Sequence, residues 1–158
     1  MRISELCGLT LNDIDFDRKN IMLNKQIVYL SKKGYYFSTL KTEPSNRYVL
    51  IDDFLTGELR RWKERQAVNE ISAGDSYVHV YKGADDKIVQ QSKDLGGVAI
   101  EKVFLVCTRV NGHAVVKYML TKIFKSDGIN AHSFRHTRHH VDRERSHSTR
   151  SSRPSWSF

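Results

Sequence analysis

Four residues carry side chains suited to holding and protonating an anion, and they lie in three short runs. The first run is Arg2-Ile3-Ser4-Glu5-Leu6-Cys7-Gly8-Leu9, the second Leu40-Lys41-Thr42 with Ser45, Arg47 and Val49 behind it, and the third His132-Ser133-Phe134-Arg135-His136-Thr137. A guanidinium stays charged at any working pH, and its planar fork of donors matches a phosphate in a way an ammonium does not. The amine of Lys41 sits on a flexible stem in a turn-like context, where it can deliver a proton, and the imidazole of His132 can donate or transfer one. Each residue alone has a plainer reading. Arg2 is also what a solvated helix arginine looks like, Lys41 what an exposed turn lysine looks like, and His132 what a helix cap or core histidine looks like.

The composition agrees with an anionic partner. Lys and Arg number 26 against 18 Asp and Glu, a formal charge of +8, which favours a polyanion. At 39% hydrophobic and 28% charged residues the chain is balanced for a folded core. Cys7 and Cys107 stand in apolar surroundings far apart in the chain and read as small core residues. There is no secretory leader pattern and no apolar run near the roughly 20 residues of a membrane helix, so the expectation is a soluble cytoplasmic protein with no membrane partner. His136 and His140 have the spacing of one helix face, yet no cysteine or carboxylate trio accompanies them, and neither a metal nor a cofactor is expected.

The elements that must position these groups can be read from periodicity. Ile3, Leu6 and Cys7 fall at i, i+3 and i+4, predicting a helix that closes near Gly8. Three β-rich runs follow, 21–29, 35–40 and 47–51, separated by Ser31-Lys32-Lys33-Gly34 and by Thr42-Glu43-Pro44-Ser45-Asn46. Those turn residues predict a three-stranded antiparallel meander. Asp52 or Asp53 caps a helix to about Gln66 with Phe54, Leu55, Leu59 and Trp62 as its apolar stripe. Residues 72–97 read as an insertion or long loop, with a short apolar piece at Tyr77 to Tyr81, and a further helix is expected from His113 to Lys125, ended by Asp127-Gly128. From Arg138 the aliphatic pattern stops, and five arginines and six serines take over.

Taken together and in this order, the three runs resemble the catalytic boxes of the tyrosine recombinase, or phage integrase, family. The first looks like the box of the family's first arginine, the second like the hairpin that presents its lysine, and the third like the box with a histidine and the second arginine. The resemblance covers residues 1–137. It implies an α+β fold, mainly helical with a small three-stranded antiparallel sheet, truncated at both ends. It also implies site-specific DNA recombination through a phosphotyrosyl intermediate, with double-stranded DNA as partner. Arg2 and Arg135 would then hold the scissile phosphate, His132 would donate or transfer a proton, and Lys41 would protonate the leaving 5′ oxygen. His136 and Arg47 would support the phosphate, and Glu5 would orient its neighbours. Attack on a phosphodiester builds charge on the non-bridging oxygens, and one such fixed donor is worth about 2.7 to 4 kcal/mol in the transition state.

One piece of the family pattern is missing. The nucleophilic tyrosine should follow the second arginine by some tens of residues, but the last tyrosine is Tyr118. Without a phenol there is no covalent intermediate, so the chain alone is expected to be inactive in strand cleavage. Residues 138–158 read as a basic Ser/Arg-rich tail, disordered or derived from a shifted reading frame. The alternatives are a DNA-binding or regulatory module that pairs with an intact recombinase, and a chain that shares a composite site with a tyrosine from another protomer.

Overall fold

The computed structural model describes residues 1–40, 45–92 and 100–126. The chain divides into two compact units, Met1–Lys117 and Tyr118–Phe158. The expected boundary between 137 and 138 lies outside the described residues, as do 93–99 and everything beyond 126.

The first unit opens with helix α1 (Ile3–Cys7), for which Arg2 is the N-cap and Gly8 the C-cap. Gly8 is required by space. A Cβ there would stand 2.9 Å from the backbone Cα of Gln26, so the end of α1 lies directly on the strand carrying Gln26. Beyond Gly8 the chain runs alongside residues 104–106: Val106 N donates to Leu9 O at 2.8 Å and Leu11 N to Phe104 O at 2.8 Å. A 3₁₀ turn at Leu11–Asp13 follows, and the Asp13 carboxylate accepts from the Thr10 amide at 2.8 Å and from Lys25 Nζ at 2.5 Å.

Strands β1 (Ile14–Asp15), β2 (Asn20–Leu23) and β5 (Arg47–Leu50) form one antiparallel sheet, in the order β1-β2-β5. Strands β3 (Lys25–Leu30) and β4 (Gly34–Thr39) form a separate hairpin. The expected meander is therefore corrected. Its first run breaks at Asn24, with β2 pairing with β5 (Ile21↔Val49) and β3 pairing with β4 (Ile27↔Phe37). Alternating burial sets which face a strand presents, and three similar β-rich runs leave the choice of neighbour open.

Helix α2 (Asp53–Ala73) begins as expected, with Asp52 Oδ1 accepting from Leu55 N at 2.7 Å, but it continues past Gln66 to Gly74. Only part of the expected stripe faces inward. Leu59 and Trp62 pack on a core of Leu9, Ile14, Ile21, Leu23 and Val106, whereas Phe54 is 74% exposed. Trp62 Nε1 donates to Val106 O at 2.7 Å and Gln66 Nε2 to Leu105 O at 3.0 Å, so α2 grips the strand-like segment that pairs with residues 9–11.

The region expected as a loop, 72–97, contains β6 (His79–Lys82) and β7 (Ile88–Gln91), which with β8 (Glu101–Lys102) beyond it form a second three-stranded antiparallel sheet, ordered β7-β6-β8. Val80, Tyr81 and Ile88 of this sheet are buried. It meets the hairpin through Phe37 N, which donates to Asp86 O at 2.9 Å. A tight connection at Asn111-Gly112 then returns the chain, with Arg109 N bonded to His113 O at 2.8 Å. Gly112 has φ +85, and a Cβ there would lie 2.1 Å from Val78 O. Helix α3 (Lys117–Ser126) starts later than expected, because Ala114 pairs with Thr108 and keeps residues 113–116 extended. The α+β class with small antiparallel sheets holds. At 37% helix and 32% strand among the described residues, the expected helical majority is not found there.

Candidate phosphate-binding site

Glu5 organises the described part of the site. It is 1% exposed, at the middle of a five-residue helix that also buries Cys7. Its Oε2 accepts from the Arg2 backbone amide at 2.8 Å and from Arg47 Nη2 at 2.8 Å, and Arg2 Nη1 lies 3.5 Å from Oε1. Burial alone would raise the Glu5 pKa. The Arg2 amide and the Arg47 guanidinium outweigh that desolvation and hold the carboxyl below its usual range.

Arg2 and Arg47 are thus brought to one carboxylate from positions separated by most of the first sheet. Their side chains differ in access. The Arg2 side chain is 55% exposed and meets Glu5 at 3.5 Å through Nη1. Arg47 is engaged twice, through Nη2 to Glu5 and through Nη1 to Ser45 O at 2.9 Å, and its side chain is 34% exposed. Two guanidiniums against one carboxylate leave a surplus positive charge, a suitable setting for an anion.

Lys41, His132, Arg135 and His136 lie outside the described residues. Leu40, immediately before Lys41, is buried, and Ser45, beyond it, is held by Arg47. The thiols offer no nucleophile: burial pushes Cys7 up to about 12 and Cys107 to about 11. Among the described residues no group of three or more His, Cys, Asp or Glu could hold a metal ion, and no helix is long and apolar enough to cross a membrane. A separate cavity of about 360 Å³, lined by Asp13, Lys25, Lys82 and Lys102 among others, contains none of the expected site residues.

Reading the sequence missed the link between Glu5 and Arg47. The spacing of Arg2 and Glu5 carried a signal, since an acidic residue three positions after a helix start can bond back to the N-cap amide. No spacing rule connects residues 5 and 47. Their meeting depends on Arg47 pairing with Leu23 and on α1 resting against β3.

No protein-family profile matches the chain. Over 49 residues, 31% of the chain, it is 41% identical to the transposase of transposon Tn916 from Enterococcus faecalis and to that of Tn1545 from Streptococcus pneumoniae; the match spans 12% of each transposase. Among solved structures, it is similar to the Tn1549 transposon integrase in complex with transposon right end DNA. That similarity has a TM-score of 0.51 at 22% identity over 80% of this chain and 33% of the integrase. The same integrase with circular intermediate DNA gives a TM-score of 0.50 at 22% identity. The chain thus spans about a third of the integrase whose fold it shares and 12% of the transposases it matches in sequence.

Proposed function

We propose that the chain is part of the catalytic domain of a tyrosine recombinase of the transposon-integrase kind, a mainly helical domain, and that it grips duplex DNA at a scissile phosphate. In this reading Arg2 and Arg135 hold the non-bridging oxygens, His132 donates or transfers a proton, and Lys41 protonates the leaving 5′ oxygen. His136 lends a further donor. The observation that carries the reading is the Glu5 carboxylate, buried and shared between the Arg2 amide and Arg47, which fixes the first arginine's backbone while leaving its guanidinium accessible. A rigid donor beside a phosphate costs little reorganisation when charge develops in the transition state.

Residues 136–158 contain no tyrosine, and in this reading these 158 residues contribute the phosphate grip and not the nucleophile. That same fact favours a second reading, in which the chain pairs with an intact recombinase and occupies or regulates its site. A nicked suicide DNA substrate tests both. The expected result is no covalent adduct on this chain, alone or with an active recombinase added. An adduct on this chain would overturn the assignment, and slower adduct formation on the added recombinase would support the regulatory reading.

A further inference from the structure

Taking Arg2 as a phosphate-handling group, we infer that Arg47 is a positioning residue and not a phosphate ligand: it sets the Arg2 backbone through Glu5 and is itself fixed in place by the Ser45 carbonyl. Its two terminal nitrogens are aimed at different targets. Nη2 donates to Glu5 Oε2 at 2.8 Å, and Nη1 to the Ser45 carbonyl at 2.9 Å. The same Oε2 accepts the Arg2 backbone amide, so one oxygen atom couples Arg47 to the residue that caps α1.

The coupling has a direction. With its side chain fully screened from solvent, Glu5 is kept ionised by the Arg2 amide and by Arg47 together. Without that guanidinium the carboxyl takes up a proton more readily, and its Oε2 becomes a poorer acceptor for the Arg2 amide. On its other side, Arg47 is held by the Ser45 carbonyl. A lysine at position 47 could reach one of the two acceptors as a point charge but not span both in a fixed plane.

The test uses the full chain with Arg47→Gln and Arg47→Lys, read by carboxyl NMR of Glu5, by hydrogen exchange of the Arg2 amide, and by affinity for duplex DNA across salt. In Arg47→Gln the Glu5 midpoint should rise, and the Arg2 amide should exchange faster. Arg47→Lys, the milder change should the glutamine variant fail to fold, should restore part of the Glu5 midpoint. Affinity for duplex DNA should weaken through the loosened Arg2. An unmoved Glu5 midpoint, or an Arg2 amide that exchanges at its wild-type rate, would overturn the inference. The NMR readings need no DNA, so a chain that fails to bind DNA would count against the recombinase reading alone and leave the role of Arg47 to be decided by Glu5.

Discussion

The surroundings of Glu5 and the outer face of α2 invert the usual placement of polar and apolar groups. At Glu5 a carboxylate is 1% exposed and every bond it makes is to a group expected at the site or to that residue's backbone. On α2, Phe54, Val68 and Ile71 are 74%, 62% and 82% exposed. Burying a charge is expensive unless it is paired, and exposed apolar surface forgoes burial that would stabilise the fold. The molecule keeps the costly feature where a cation must be fixed in place. Stability should accordingly be concentrated around α1 and be nearly indifferent to the far side of α2.

The largest loss is expected from Glu5→Ala, which leaves Arg47 without its carboxylate. Breaking such a pair costs about 3 kcal/mol, the low end of the range for a buried pair, because Arg47 is about one-third exposed. Chemical denaturation should show a lower midpoint at unchanged slope. Next is Gly8→Ala, which forces the end of α1 away from the Gln26 backbone and should cost about 2 kcal/mol by the same measurement. Wild-type-like stability for either variant would remove the α1 anchor from the account.

The pH dependence is smaller and has a definite sign. The folded pKa of Glu5 is depressed, so its contribution is present above the unfolded value near 4.5 and is lost as pH falls through the folded value. Thermal melting of the wild type should therefore weaken on the acid side of pH 4.5, and Glu5→Gln should flatten that limb. A limb equally steep in the variant would assign the acid sensitivity to other carboxylates. Smallest of all is Ile71→Ser, expected to change stability by no more than about 0.5 kcal/mol. A larger loss would mean that this face of α2 is covered.

The same contrast marks what could be read from the sequence. Helical spacing at Ile3, Leu6 and Cys7, the Asp52 cap and the Ser31 to Gly34 turn each act within a few residues, and each is found where the pattern placed it. The partner of β2 is a distant strand, and alternation at Ile21 and Leu23 specifies burial without naming Val49 or Arg47 as neighbours. The second sheet went unread because β6 and β7 are four residues each and lie among polar residues, although Asn111-Gly112 was a usable turn signal nearby. For the site, residue types and order singled out Arg2 and Arg47, whereas the carboxylate joining them emerges only when the chain has folded.

The central claim, a DNA-gripping surface built around Arg2, is most directly tested by duplex affinity measured from low to moderate salt for the wild type and Arg2→Ala. Binding should be steeply salt-dependent, with a slope shallower by about 0.9 in the variant as one phosphate contact is lost. No binding at low salt, or equal slopes for the two proteins, would contradict it.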